Sequence, residues 1–217
     1  MAKELPMLEV RIWAEAACFT RPEMKVERVS YSVPTPSAAR GALEAIFWKP
    51  EMRWIVEEIH VLRPIRYGSI LRNEINSRQS ERAAQSWIAK GGGYDSSGDR
   101  AQRHSLILRD VAYLVQARIE MLPSATDDIA KYRDQFRRRV RDGRCFATPY
   151  LGCREFSAAF GEPEPGDHAI DLTEELGPML LDIEFEPGGG GRGKPRFFNA
   201  ELKQGVLYVP NRFGEVV

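Results

Sequence analysis

The segment RHSLILRDVAYLVQARIEML (103–122) is rich in β-branched residues and predicts a long β-strand, around which the rest of the fold can be arranged. MRWIVEEIHVLRPIRY (52–67) predicts a second long strand, interrupted at Pro64 because proline cannot donate to a strand ladder. Apolar and polar residues alternate at the start of LPMLEVRIWAEAA (5–17), which predicts a third strand. FATPYLGCREFSAAF (146–160) is interpreted as a further strand and turn. The connection of about thirty-five residues between the first two strands is too long for an ordinary loop and is typical of functional or disordered segments.

Two helices are predicted between these strands. TPSAARGALEAIFW (35–48) begins with Thr35 as a cap and Pro36 in the first turn, and its small and aliphatic residues fall on one arc. The second helix contains most of KYRDQFRRRVRDGR (131–144), and its buried face is an apolar stripe of Ile129, Tyr132, Phe136 and Val140. The order strand, helix, strand, strand, helix, strand is the ferredoxin-like split βαβ arrangement.

The C-terminal part predicts a second unit. GEPEPGD (161–167) has the composition of a linker. LLDIEFEP and RFFNAELKQGVLYVP then predict a small antiparallel sheet, with GGGGRGK as its hairpin loop. The sequence therefore predicts an α+β protein with a ferredoxin-like domain over residues 1–160 and a small C-terminal antiparallel β domain over residues 168–217.

Charge is distributed unevenly along the chain. There are 31 basic and 31 acidic residues in 217, yet residues 131–144 hold seven basic and two acidic residues, and residues 155–186 hold ten acidic and no basic ones. This asymmetry is consistent with a polyanionic partner for the basic part, or with two solvated faces that partly neutralise each other. A basic helix on a ferredoxin-like sheet favours RNA, although the aromatic strand motif of RRM domains is absent.

Several other classes of protein are disfavoured. No apolar run has the roughly 18–20 residues of a membrane helix, and the N-terminus lacks the pattern of a signal peptide, so we expect a cytoplasmic protein. The three cysteines lack CxxC spacing, and the three histidines lack a second ligand at metal spacing, so neither a metal nor another cofactor is predicted. GGGGRGKP (188–195) approaches the phosphate-binding P-loop pattern but ends in Pro195 instead of Ser or Thr, which argues against an NTPase.

Four segments resemble one CRISPR family in the same order: SYSVPTPSAARGALEAIFWKP (30–50), VLRPIRYGSILRNEI (61–75), LRDVAYLVQARIE (108–120) and YLGCREF (150–156). The family is that of the repeat-processing endoribonucleases of subtype I-C (Dvulg-type) systems, within the RAMP superfamily. The similarity covers most of residues 5–160, whereas the last fifty residues match only as a small β appendage.

The resemblance implies a metal-independent endoribonuclease that cuts the repeat stem-loops of pre-crRNA. Attack by the 2′-hydroxyl would leave a 2′,3′-cyclic phosphate and a 5′-hydroxyl, and the protein would keep hold of the crRNA 5′ handle. The implied partners are the crRNA, the backbone and large subunits of a Cascade-like complex of type I-C, and double-stranded DNA. Two alternatives stay open: a non-catalytic subunit that binds the handle, and a general RNA- or DNA-binding module.

The resemblance also assigns site residues. Relatives use a tyrosine after the first helix and a Lys-His pair at the start of the second, which correspond to Phe47, Lys131 and Tyr132 in this chain. Tyr132 is either a catalytic hydroxyl or a core aromatic; in the second case, His104 or Tyr31 would transfer the proton. The residues predicted to contact RNA are Phe47, Arg40, Arg133, Arg137, Arg138, Arg139, Arg141 and Arg144.

Overall fold

The computed structural model describes residues 7–185 and 193–210, and over these residues the chain is a mixed α/β protein built on a large, mostly antiparallel sheet. Its strands within the described residues are β1 (Leu8–Ala17), β2 (Arg28–Val29), β3 (Met52–Val61), β4 (Tyr67–Ile75), β5 (Arg100–Met121), β6 (Ala159–Gly161), β7 (Glu174–Glu184), β8 (Lys194–Lys203) and β9 (Val206–Tyr208). Its α-helices in the same ranges are α1 (Pro36–Ile46), α2 (Glu81–Lys90) and α3 (Ile129–Arg141). The N-terminal residues 1–6 and residues 188–192 of the glycine-rich motif lie outside the described part of the chain.

Strand β5 organises the sheet, as its sequence predicted. Its second half pairs with β1 on one side and β3 on the other, whereas its first half pairs with β4 and β2. The change of partner falls near Asp110, whose φ of 52° is unusual for a residue other than glycine. The principal sheet order is β6-β1-β5-β3-β9-β8-β7.

The connection before β5 differs from the prediction. The second predicted strand ends at Val61, and β4 begins at Tyr67, beyond the expected interruption at Pro64. The residues that follow, expected to be a long loop, form β4 and α2. Neither element contains a buried residue, so neither carries the strong apolar periodicity that reveals an element in a sequence.

Helices α1 and α3 cover one region of the sheet. The Thr35 side chain accepts a hydrogen bond from the Ala38 amide and caps α1, while the Asp128 side chain caps α3. The predicted stripe on α3 is buried, and the ring of Phe136 lies 4.7 Å from that of Trp54 on β3. Each large side chain buried in this way stabilises the fold by about 1.5–3 kcal/mol.

The C-terminal strands form the predicted antiparallel arrangement, and they also continue the main sheet. Strand β8 pairs with β7 and β9, and β9 pairs with β3. Asp182 on β7 binds both terminal nitrogens of Arg40 on α1, at 2.7 and 2.8 Å. In the segment predicted as a linker, Glu164 and Asp167 pair with Arg11 on β1 at 2.6 and 3.0 Å. The division into two separable units stays a prediction.

Among the described residues, no helix combines the length and the hydropathy needed to cross a lipid bilayer.

Candidate active site and nucleic-acid interface

The turn that follows α1, FWKPE (47–51), runs alongside α3 and forms one wall of the candidate site. The Phe47 amide donates to the Leu43 carbonyl at 2.9 Å, so Phe47 closes the end of α1. The Phe47 carbonyl in turn accepts a hydrogen bond from the Trp54 indole at 2.8 Å. These contacts fix the turn between α1 and β3.

The first turn of α3 presents Lys131 to solvent. Its ammonium donates to Asp127 at 2.7 Å, and 63% of the side chain is exposed. The hydrogen bond to Asp127 raises the pKa of Lys131 above its ordinary value, with further support from the charge of Glu51. Lys131 therefore stays a cation throughout the neutral range and is available to an anionic ligand.

Glu51 belongs to the same cluster, and the sequence analysis missed it. Its charge influences both Lys131 and Tyr132. One of its carboxylate oxygens is buried without a hydrogen-bond partner among the described residues. A buried polar atom without a partner is unusual and is expected at sites that receive a ligand. Its position just after the WKP motif was a signal for the site.

Tyr132 is a buried core residue whose only polar side-chain group is its hydroxyl. Its side chain is 5% exposed, and its ring centroid lies 6.4 Å from that of Phe47. Burial raises the pKa of Tyr132, so its hydroxyl remains protonated at neutral pH. The hydroxyl can donate a hydrogen bond near Lys131 but is a poor base.

Phe47 is fully buried, which is a correction to its predicted contact with RNA. The position that relatives fill with a tyrosine here fills the core, and its ring lies under the guanidinium of Arg139 at 5.4 Å. Arg139 also donates to the Ile46 carbonyl at 2.6 Å. It satisfies an orphan carbonyl at the end of α1, so its guanidinium serves the fold at least as much as a ligand.

Arg40 is engaged in a similar way. Its bidentate bond to Asp182 and a contact of 3.7 Å with Glu44 direct the guanidinium toward β7. The Asp182 carboxylate raises the pKa of Arg40 further. RNA would have to compete with this ion pair, which makes Arg40 a weaker candidate for phosphate contact than the residues of α3.

The remaining arginines divide by helix face. Because successive residues are about 100° apart, Arg133, Arg137 and Arg141 form one flank of α3, which we call the arginine flank. Arg137 and Arg141 are exposed, with pairs to Asp134 at 3.6 Å and Asp142 at 3.1 Å. Arg133 is half-buried, and its Nε atom has no hydrogen-bond partner in the described structure. Lys131 and Arg138 lie about 110° around the helix from the middle of this flank, opposite the buried stripe, and Arg138 is also exposed.

Three exposed residues, Trp48, Arg144 and Phe146, lie on the two segments that meet at the end of α1, and we call them the aromatic–basic surface. The amides of Phe146 and Ala147 donate to the Ala45 carbonyl at 2.8 and 3.0 Å, which brings this loop beside the end of α1. Trp48 is 50% exposed and Phe146 is 82% exposed. Exposed rings beside cations are typical of sites where unpaired bases stack. The sequence analysis named Arg144 but missed both aromatic residues.

His104 and Tyr31 belong to a different part of the molecule. His104 is exposed near the start of β5, opposite Leu71, whereas α3 follows the far end of that strand. At about 3.3 Å per residue, the chain from His104 to Met121 covers roughly 56 Å of strand. Tyr31 is 1% exposed, its pKa is raised by burial, and its amide bonds to Phe19. Neither residue contacts Lys131, so the structure does not support them as substitutes for the missing histidine.

The described residues contain no group of three or more His, Cys, Asp or Glu side chains arranged to hold a metal ion.

The sequence was compared with known protein families. Residues 7–210 match the Cas5d family model, which is described as CRISPR-associated protein (Cas_Cas5). The chain belongs to the Cas5 family of CRISPR-associated proteins. The resemblance seen in its four sequence segments is thereby confirmed.

Two curated Cas5d relatives are similar over nearly their whole length. The CRISPR pre-crRNA endoribonuclease Cas5d of Thermus thermophilus is 46% identical, with 94% of this chain and 91% of the relative covered. The protein of the same name from Mannheimia succiniciproducens is 42% identical, with 97% of both chains covered.

Two solved structures share the fold of this chain. A crystal structure titled as a CRISPR-associated protein superimposes with a TM-score of 0.71 at 22% identity, covering 98% of this chain and 95% of that chain. A functionally uncharacterized protein from Streptococcus mutans, SMU1763c, gives a TM-score of 0.66 at 21% identity, covering 94% and 91%. Both span the C-terminal strands as well as the N-terminal part of this Cas5 family member.

Proposed function

We propose that this protein is a metal-independent pre-crRNA endoribonuclease that cuts CRISPR repeat stem-loops. The observation that carries the proposal is the near-full-length identity, 46% and 42%, to two relatives named pre-crRNA endoribonucleases. The geometry is consistent with this function, because an exposed lysine lies at the start of a helix with an arginine flank. The products are a 2′,3′-cyclic phosphate and a 5′-hydroxyl.

The chemistry needs an activated 2′-hydroxyl, a stabilised phosphorane and a proton for the leaving 5′-oxygen. Lys131 is a permanent cation at neutral pH, so its role is to stabilise the phosphorane and to donate a proton as the 5′-oxygen leaves. Tyr132 remains protonated and is confined to donating a hydrogen bond. In the same cluster, Glu51 is the carboxylate suited to accept the proton of the 2′-hydroxyl, because one of its oxygens has no partner in the described structure.

RNA binding falls to the arginine flank and the aromatic–basic surface. The deep major groove of A-form RNA hides the base edges, so cations that contact phosphates carry much of the affinity for a stem. Arg137 and Arg141 suit such contacts because both are exposed and each has only a local acidic neighbour. Trp48 and Phe146 suit unpaired nucleotides next to the stem. The cut would then occur where Lys131 meets the RNA.

Several finer assignments accompany this function. We infer a ferredoxin-like RAMP core, for which the support is the order β6-β1-β5-β3 together with two helices that follow β1 and β5. The product is expected to stay bound through its 5′ handle in a type I-C Cascade-like complex in the cytoplasm, with the backbone and large subunits as partners. Contact with double-stranded DNA and the separability of residues 168–217 remain predictions.

The test is incubation of the protein with its own repeat RNA in EDTA. We expect cleavage at a single site, a cyclic phosphate on the upstream product, and no cleavage when the nucleotide 5′ to the cut carries a 2′-deoxyribose. Binding without cleavage would instead favour the non-catalytic subunit. This is the second candidate function because Phe47 and Tyr132, at the positions of the relatives' tyrosine and histidine, are both buried. Indifference to the stem-loop would favour a general nucleic-acid-binding module.

Truncation after Gly161 tests the two-unit division. The proposal requires a folded N-terminal part that still cuts RNA. Truncation removes the pairing of β9 with β3 and the bond between Asp182 and Arg40. The N-terminal part must therefore fold without either contact. Circular dichroism and cleavage measured on the same sample decide between a separable unit and a single cooperative domain.

A further inference from the structure

Two of the three cysteines meet at the end of β1, away from Lys131. Cys18 follows β1 directly and is buried, whereas Cys153 in the YLGCREF loop is partly exposed. The Cys18 amide donates to the Leu151 carbonyl at 3.1 Å, which holds the loop against the strand end. Gly152 makes the approach possible, since it has a φ of +84° and a Cβ there would lie 2.0 Å from the Cys18 carbonyl oxygen.

The surroundings of the two sulfurs are polar and unequal. Arg28 donates a hydrogen bond to the Cys153 sulfur at 3.0 Å. The Thr20 hydroxyl lies 3.6 Å from the Cys18 sulfur and 3.8 Å from the Cys153 sulfur, so it bridges them. Arg28 also pairs with two carboxylates, Glu74 at 3.3 Å and Glu155 at 3.6 Å, which reduce but do not cancel its effect.

These contacts assign different protonation states to the two cysteines. Interaction with the Cys18 thiol, assisted by Thr20 and Arg28, lowers the pKa of Cys153 to about 6 despite partial burial. The same interaction, together with burial, raises the pKa of Cys18 well above its ordinary value. At neutral pH the pair is therefore an accessible thiolate beside a buried neutral thiol. Thiolates, not thiols, react with peroxides and disulfides.

We propose that Cys153 is an oxidation site for hydroperoxides and that Cys18 is its resolving partner. The Cys153 thiolate attacks one peroxide oxygen, the O–O bond breaks, and a proton is taken up, giving Cys153 sulfenic acid and water or an alcohol. Cys18 then attacks the sulfenic sulfur and loses its proton; the S–O bond breaks, and water leaves as the disulfide forms. The peroxide is reduced, and the two thiols are oxidised.

The second step is favoured by the first. The largest cause of the high pKa of Cys18 is its interaction with Cys153. When Cys153 becomes a neutral sulfenic acid, the thiolate that opposed ionisation of Cys18 is gone. Arg28, which also lowers the pKa of Cys18, stays in place and supports the new thiolate. The oxidised state would tie the loop to β1 covalently and is independent of the proposed RNA cleavage.

The experiment uses the full chain with Cys145→Ser, which removes the exposed third cysteine and leaves the pair intact. Treatment with one equivalent of hydrogen peroxide at pH 7 should remove two thiols, measured in denaturant, and lower the mass by two hydrogens. Peptide mapping should recover Cys18 joined to Cys153, and dithiothreitol should restore both thiols.

Variants separate the two roles. Cys18→Ser should stop at a Cys153 sulfenic acid, which dimedone traps, whereas Cys153→Ser should react at least tenfold more slowly with peroxide. Arg28→Gln should also slow the first step while keeping the fold. Peptide mapping of the peroxide-treated wild-type chain still tests for the Cys18–Cys153 disulfide if Cys18→Ser fails to fold. Faster oxidation at Cys145 than at Cys153, or a sulfenic acid on Cys153 that never joins Cys18, would overturn the proposal.

Discussion

The two ends of α3 carry the same sign of charge for different reasons. At the C-terminal end, cations stabilise the helix dipole, and Arg139 also satisfies a carbonyl of α1. At the N-terminal end, a cation opposes the dipole, yet Lys131 occupies the first turn and is offset by Asp127 and by the Asp128 cap. A charge placed against the local electrostatic preference is better explained by a ligand than by folding. We therefore expect the N-terminal end of this thirteen-residue helix to be the chemical end, and the C-terminal end to combine helix stabilisation with RNA contacts.

The largest expected effect is at the chemical end. Lys131→Ala should slow repeat cleavage by about 10²-fold or more, with much less effect on RNA affinity, because its contact strengthens in the transition state. Single-turnover rates and equilibrium binding measure the two quantities separately. Lys90→Ala, at an exposed position in the last turn of α2, is the matched control and should leave the rate within about twofold. Cleavage by Lys131→Ala at the wild-type rate would mean that the active site does not lie on this helix.

Glu51→Gln should reduce the cleavage rate by about tenfold or more while keeping the shape of the side chain. Single-turnover cleavage rates and equilibrium RNA binding, measured on the same variant, separate loss of the base from loss of affinity. The raised pKa of Lys131 adds a second expectation for the wild type: the ammonium is lost only above the ordinary range of lysine, so no decline should appear near neutrality. A wild-type cleavage rate in Glu51→Gln would exclude its role as base.

Replacing Arg137 and Arg141 together by Ala should weaken repeat binding and flatten its salt dependence. Each lost phosphate contact lowers the log–log slope by roughly 0.7–0.9. The contrasting pair is Trp48→Ala with Phe146→Ala, which should weaken binding with little change in slope, because stacking releases no counterions. An unchanged slope for the arginine pair would mean that the arginine flank faces away from RNA.

The smallest expected effect is that of Tyr132→Phe. The ring is buried against Phe47, and the hydroxyl is held protonated by its raised pKa, so its removal should change the cleavage rate by no more than about twofold. The melting temperature should also remain close to that of the wild type. A loss of about 10²-fold with unchanged stability would instead assign the role of the family's histidine to this hydroxyl.

The elements with strong apolar periodicity could be predicted from the sequence. The other elements could not, for physical reasons. The strands that flank the core and the stripe on α3 are buried, so their patterns are visible in the sequence. Strand β4 and helix α2 bury no residue and left no comparable pattern. Phe47 is buried because its amide and carbonyl close the turn between α1 and β3, which the resemblance did not indicate.

The site was less predictable because it depends on contacts between distant segments. The bond between Arg40 and Asp182 joins residues 142 positions apart, and no local pattern indicates it. His104 could have been set aside from length alone, since it and α3 lie toward opposite ends of a strand of 22 residues. The loop that carries the exposed Phe146 lies beside the end of α1 because two of its amides bond to the Ala45 carbonyl, and no local pattern indicates this contact.

The pairing of β9 with β3 has a consequence for synthesis on the ribosome. Glu58 is made roughly 150 residues before its partner Tyr208. At a translation rate of about 5–20 residues per second, the edge of β3 that pairs with β9 stays unpaired for roughly 8–30 s, until β9 is synthesised. An unpaired edge is a template for wrong strand addition, so the nascent chain is most vulnerable to aggregation in this interval. Slow translation of the last third would lengthen the interval, and a chaperone that shields the hydrophobic face of β3 would relieve it.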